Sequence, residues 1–225
     1  MGRNLDALRV ADLGALLAPM MAKRLFDITF AAISLVVSAP VWLAAALLVK
    51  LHDGGPVFFR QDRSGLRGRP FDVLKFRSMS VDAERDGAKQ AVQGDSRITT
   101  VGRWLRATAM DELPQLWNIL IGDMSVVGPR ALRPGEVEAH GSGVFERLED
   151  VPGFALRSSV KPGLTGVAQI YARRDLPRRQ KFRYDRLYIR RQSFALDLRL
   201  VALSFWISLT GAWEVRGRRG RGVRT

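Results

Sequence analysis

The 225-residue chain contains no cysteine. That absence excludes disulfides, thiolate metal sites and a cysteine nucleophile. Histidine is nearly as scarce, with only His52 and His140, too few for an imidazole-based metal cluster. Any metal would be held mainly by oxygen, which points to a hard ion such as Mg2+. Acidic side chains are also in short supply, 22 against 36 lysines and arginines, for a formal charge of +14. Such an excess attracts polyanions: nucleic acid, anionic lipid headgroups or phosphorylated substrates. Charge alone does not choose among them.

Of what is present, the hydrophobic content of 47% and the length suit one domain, or one domain plus an appendage. Residues 28–49 carry no charge over 22 positions, long enough for a helix to cross a bilayer. Pro40 lies near the midpoint and removes one helical hydrogen bond. Two readings follow, a kinked span or a broken helix that dips into one leaflet and returns. Lys23 and Arg24 precede the segment and Lys50, Arg60 and Arg63 follow it, so charge asymmetry fixes no orientation. Taken alone, the segment reads as a kinked span. The first 22 residues read as a short amphipathic helix, and the apolar segment after them, longer than a signal peptide's core and preceded by that leader, does not read as a signal peptide. A second uncharged stretch, residues 200–213, is short for a span and suits an interfacial or core helix.

Between these stretches the pattern is that of a folded domain. Short β-like runs at Val57 to Arg60 and Phe71 to Phe76 flank a Gly/Arg-rich turn and predict a hairpin. Residues 80–96 read as a loop or frayed helix, and residues 98–124 as two helical pieces. Where those pieces meet, Asp111 and Glu112 stand side by side in "TAMDELPQLWNIL". By itself this pair reads as an ordinary helix start, because Asp favours the N-cap and Glu and Pro suit the first turn. Its neighbours add weight to a different reading. Arg103 and Arg106 precede it, Arg130 sits in "VVGPRAL", and Lys161 opens "KPGLTGVAQ". Glycine, arginine and lysine in loops make phosphate clamps, so together they suggest a phosphate site beside two carboxylates. Residues 173–191 carry nine basic and two acidic side chains, and "RGRRGRGVRT" ends the chain with five arginines. Each run alone is as well explained by a solvated surface.

In order, "KRLFD", the uncharged segment with its proline, "GPVFFRQDRSG", "FDVLKFRSM", "TAMDELPQLWNILIGDMSVVGPR", "KPGLTGVAQ" and "FRYDRLYIRRQSFALDLRL" resemble the bacterial sugar transferases called monotopic phosphoglycosyl transferases. The resemblance covers about residues 22–213. It implies an α+β, mostly helical fold: a re-entrant N-terminal membrane helix, a small cytoplasmic catalytic domain and interfacial amphipathic helices. The corresponding divisions are residues 1–22 as an extension, 23–51 as the membrane helix, 52–213 as the catalytic domain and 214–225 as a basic tail.

The resemblance also implies an activity at the cytoplasmic face of the bacterial inner membrane. A UDP-sugar gives its sugar 1-phosphate to undecaprenyl phosphate and releases UMP, beginning polysaccharide or glycoconjugate synthesis. By the same match Asp111 is the nucleophile that forms a covalent phosphosugar, and Glu112 holds Mg2+. Arg106, Arg130, Lys75, Lys161 and Asp185 match positions that bind phosphate or support the site. Ala39 and Pro40 match the helix break. Three departures stand out: Ala39 replaces the usual serine at the break, Ala131 follows Arg130 where proline is usual, and Val167 replaces an aromatic. Expected partners are the UDP-sugar, undecaprenyl phosphate and anionic membrane lipids, with no nucleic acid; a homo-oligomer stays open. The sugar is not encoded in any motif. Two rivals from other classes are a basic nucleic-acid-binding protein, which leaves the apolar segment unexplained, and a catalytically silent membrane scaffold.

Overall fold

The computed structural model describes residues 10–83, 85, 94–139, 145–173 and 176–210, with side chains described from residue 20 onward. The basic tail and the first nine residues lie outside that set. Helix α1, Val10–Asp53, is followed by an antiparallel hairpin of β1 (Phe58–Ser64) and β2 (Pro70–Phe76). Next come α2 (Thr100–Ala107), a 3-10 turn at Met110–Glu112 and α3 (Gln115–Ile121). The rest comprises β3 (Ser125–Val127), β4 (Val137–Ala139), β5 (Phe145–Arg147), α4 (Phe154–Arg157), β6 (Gly163–Thr165), α5 (Val167–Tyr171), α6 (Arg178–Arg191) and α7 (Phe194–Leu209). The architecture is α+β and mostly helical, with three two-stranded sheets among the described residues.

Helical geometry runs unbroken through Ala39 and Pro40. Proline is accommodated inside one helix, which also runs through residues 22 and 23. Proline costs a backbone bond here, while the Leu/Ala-rich run that follows it keeps the rest helical. Ser38 donates its hydroxyl to the Ser34 carbonyl at 2.6 Å, a back-bond of the kind that bends helices. Met20–Asp53 is long and apolar enough to cross a membrane, and little of its most apolar stretch is covered. Val36, Val37, Ala39, Pro40 and Leu43 are all exposed.

Both flanks of that exposed stretch are fastened to the same folded unit. On the N-terminal flank, Lys23 pairs with Asp197 of α7 at 2.6 Å. The Arg24 guanidinium donates to the Ile119 and Leu120 carbonyls at 2.7 Å each, which caps the C-terminal end of α3. Asp27 accepts from Ser125 Oγ and the Val126 N–H of β3. On the C-terminal flank, Ala45 and Val49 are buried with Phe76 and Leu105, and Asp53 pairs with Arg77 Nη1 at 2.7 Å.

The main core gathers Ala31 of α1, Val73, Leu116, Ile119, Val126 and Leu200, together with Tyr188. Parallel pairing of β3 with β6 sets Ser125 against Gly163 and Val127 against Thr165. A Cβ on Gly163 would stand 2.0 Å from the Gly128 N atom. Only glycine permits that approach, and it joins the "VVGPR" and "KPGLTG" segments into one scaffold.

Candidate active site

The site is assembled from the hairpin, the turn between α2 and α3, and the loop after β3. Helix α2 begins at Thr99, whose hydroxyl accepts from the Gly102 N–H at 2.9 Å. It ends just before Ala109, a non-glycine residue at φ 58°. Left-handed backbone at an alanine is strained, and the strain immediately precedes the acid pair. Asp111 and Glu112 then sit in the 3-10 turn, while Pro114 occupies the N-cap of α3. The acid pair is therefore not the helix cap that local sequence suggests. Asp111 is only 9% exposed, and a cap would need its carboxylate turned to free N–H groups instead.

Helix α3 is locked to the hairpin by Asn118, which sequence reading passed over. Its side chain accepts from the Leu74 N–H at 3.0 Å and donates to the Asp72 carbonyl at 2.7 Å. That bridge holds β2 beside the acid pair. Lys75 Nζ donates to Glu112 Oε1 at 2.9 Å, and Arg130 Nη2 donates to the same oxygen at 3.2 Å. Both cations use Oε1.

These surroundings drive the two carboxyl groups apart. Burial raises the Asp111 pKa, the neighbouring Glu112 charge raises it further, and Lys75, Arg106 and Arg130 lower it in part, leaving it at about 6. For Glu112 burial acts upward too, but Lys75 and Arg130 outweigh it and hold the group well below the usual carboxylate range. Two adjacent acids with opposed shifts can take separate roles. Glu112 stays ionised as a fixed anion. Asp111 is a desolvated carboxylate that ionises near neutrality.

The remaining expected site residues fall into three groups. Arg106, in the last turn of α2, acts on Asp111 through space. Asp185 of α6 pairs with Arg157 Nε at 3.0 Å, both side chains about 5% exposed. Arg157 in turn donates to the Arg130 carbonyl, so Asp185 supports the loop carrying Arg130 at one remove. Arg157 was not anticipated; only its place in the fold reveals it. Lys161 stands elsewhere. Its charged neighbours are Arg24, Asp27 and Asp123, and its Nζ lies close to Gly122 at the end of α3.

Among the described residues no cluster of three metal-binding side chains exists. Mg2+ nevertheless suits the donors present, since it commonly takes one or two carboxylates and completes its shell with water and substrate phosphates. Glu112, with Asp111 beside it, would supply those carboxylates.

A family model described as bacterial sugar transferase matches residues 18–211. The chain is 44% identical over 190 residues to the UDP-glucose:undecaprenyl-phosphate glucose-1-phosphate transferase of Klebsiella pneumoniae, covering 82% of this chain and 39% of that protein. A protein of the same description from Caulobacter vibrioides is 42% identical over 186 residues, 80% of this chain and 67% of the relative. The UDP-N-acetylgalactosamine-undecaprenyl-phosphate N-acetylgalactosaminephosphotransferase of Aeromonas hydrophila is 40% identical over 214 residues, 92% of this chain and 49% of the relative. The chain thus spans well under half the length of the Klebsiella relative.

Proposed function

The chain belongs to the bacterial sugar transferase family, and from that premise we propose that it moves a sugar 1-phosphate from a UDP-sugar to undecaprenyl phosphate, releasing UMP. The observation that carries this reading is the split acid pair: a buried Asp111 poised near neutrality beside a Glu112 fixed by Lys75 and Arg130.

In the proposed reaction an Asp111 carboxylate oxygen attacks the phosphorus that bears the sugar. A bond from that oxygen to phosphorus forms, and the bond from phosphorus to the UMP oxygen breaks. An oxygen of undecaprenyl phosphate then attacks the same phosphorus, and Asp111 departs as a carboxylate. An anion approaches a diphosphate only where positive charge offsets the repulsion. Arg106, Lys75 and Arg130 supply it. Glu112 is too firmly paired to attack and serves as the counter-charge that orients both cations. When bound at Glu112, Mg2+ would neutralise further diphosphate oxygens.

The fastening of α1 supports a re-entrant course for the membrane segment. A straight helix over residues 28–49 is about 33 Å long, enough to carry its two ends to opposite sides of a bilayer about 30 Å thick. Here Asp27 and Val49 are both packed into one domain. A bend at Pro40, with Val36, Val37 and Leu43 in the acyl region, satisfies both facts and keeps the site at the face where UDP-sugars and the lipid phosphate meet. That face is the cytoplasmic side of the bacterial inner membrane. Basic side chains of α6 lie against anionic headgroups, each worth about 1 kcal/mol near the surface.

The test is UMP release by nanodisc-held protein given undecaprenyl phosphate, Mg2+ and a panel of UDP-sugars. UDP-glucose and UDP-N-acetylgalactosamine come first, after the relatives' names. Asp111→Asn is expected to lower the rate by at least about 10³-fold, as loss of a nucleophile does. Release that survives Asp111→Asn would overturn the assignment.

A further inference from the structure

The hairpin register brings a second cation to the site. Phe59 faces Lys75, Gln61 faces Val73 and Arg63 faces Phe71, so alternation puts Lys75, Gln61 and Arg63 on one side of the sheet. Lys75 and Arg63 both reach the cavity that Glu112, Arg130 and Gln115 also line. Arg63 is 8% exposed. Its Nη1 donates to the Ala131 carbonyl at 3.0 Å and its Nη2 to the Gln61 side-chain oxygen. Both acceptors are neutral.

No carboxylate among the described residues pairs with Arg63. The charges facing it are mostly of its own sign: Arg130, Arg133 and Arg178, against Glu136 alone. Glu136 is already held by Arg178 Nε at 2.7 Å, and Glu112 is shared by Lys75 and Arg130. Burial and the surrounding cations depress the Arg63 pKa to about 10, so the side chain remains charged at neutrality. A buried guanidinium without a counter-ion is costly. An anion in the cavity removes that cost, and the planar fork suits the paired oxygens of a phosphate.

We propose that Arg63 and Arg130 together seat a phosphate group beside the acid pair, either the UMP phosphate of the donor or the phosphate of the polyprenyl acceptor. The naming of those two sources rests on the transferase reading; the anion site itself does not. Arg63 is then a binding residue alongside those expected from sequence.

The experiment uses the full chain in nanodiscs and measures binding without turnover. Pyrophosphate, UMP and a short-chain polyprenyl phosphate are titrated by calorimetry into wild type, Arg63→Met and Arg63→Lys. Wild type should bind pyrophosphate, and Arg63→Met should bind it about tenfold or more weakly, since the charge and fork are both gone. The monophosphate whose affinity falls with it identifies the source. Ligand-free Arg63→Met should melt no lower than wild type, because an unpaired buried charge has been removed. A folded Arg63→Met that binds all three probes as tightly as wild type would overturn the proposal, as would a wild type that binds none. If the methionine variant does not fold, Arg63→Lys decides: weaker binding with an intact fold supports the phosphate seat, and unchanged binding of every probe overturns it. Arg63-dependent pyrophosphate binding in a protein that transfers no sugar would sink the transferase reading and keep this one.

Discussion

At the scale of single residues, the acid pair makes two claims that can be measured apart. If Asp111 must be ionised to attack, kcat/KM should fall about tenfold per pH unit below about 6, while Glu112 contributes no limb in that range. A stability signature accompanies it. The Asp111 pKa is raised from 3.8 to about 6 by folding, so the folded state binds the proton more tightly than the unfolded one. That opposes folding fully above pH 6 and not at all below about pH 4. Asp111→Asn should therefore raise Tm at pH 7 and leave it unchanged near pH 4, as thermal melts at the two values would test. A variant that gains nothing at pH 7 would remove the buried-charge account. The Arg157–Asp185 pair predicts the opposite sign. Removing one partner of a buried ion pair costs about 3–5 kcal/mol, so Asp185→Asn should lower the denaturation midpoint strongly. It should also weaken activity through the loop carrying Arg130, not through contact with substrate.

At the scale of elements, the hairpin and the helices on either side of the acid pair were readable in the sequence, because alternation and helical spacing are local properties. The role of Pro40 was not. Proline removes one backbone bond, and helical geometry persists through it, so how far it bends the membrane segment is not a local property. Whether α1 crosses or returns turns on which side of the membrane its two ends face. The lack of native cysteine allows a direct test with single cysteines at Met20 and Leu51, both exposed. In sealed inverted membrane vesicles a thiol reagent that cannot cross should label both sites. Labelling of only one would mean that α1 spans the membrane. Gly163 makes the second element-scale case. Alanine there would collide with the Gly128 backbone, and overpacking typically costs about 1–3 kcal/mol or more, so Gly163→Ala should destabilise β3–β6 in urea unfolding and lower activity with it.

At the scale of the whole molecule, two attractions to the membrane differ in their response to salt. The charge of +14 acts over a Debye length of about 10 Å at 0.1 M and is screened to about 3 Å at 1 M. Burial of the apolar α1 segment is not screened. The chain should consequently stay with membranes at 1 M NaCl and leave them in detergent, as sedimentation after each wash would report. Release by salt alone would make it a peripheral basic protein and reopen the nucleic-acid reading.

The sequence by itself determined the hairpin, the helices beside the acid pair, the long apolar segment, the acid pair and the family, because periodicity, charge-free length and a contiguous motif all survive without coordinates. Tertiary structure decided how these parts divide the work. Lys75, Arg130 and Glu112 are separated by up to 55 positions in the chain yet share one carboxylate oxygen, and Arg157 reaches Arg130 from 27 positions away. It also set Lys161 beside Arg24 rather than the acid pair and turned Arg63 inward without a counter-ion. The physical reason is common to all of these. A residue's charge is written in its side chain, but its pKa, its partner and the cost of its burial depend on which distant segments fold against it.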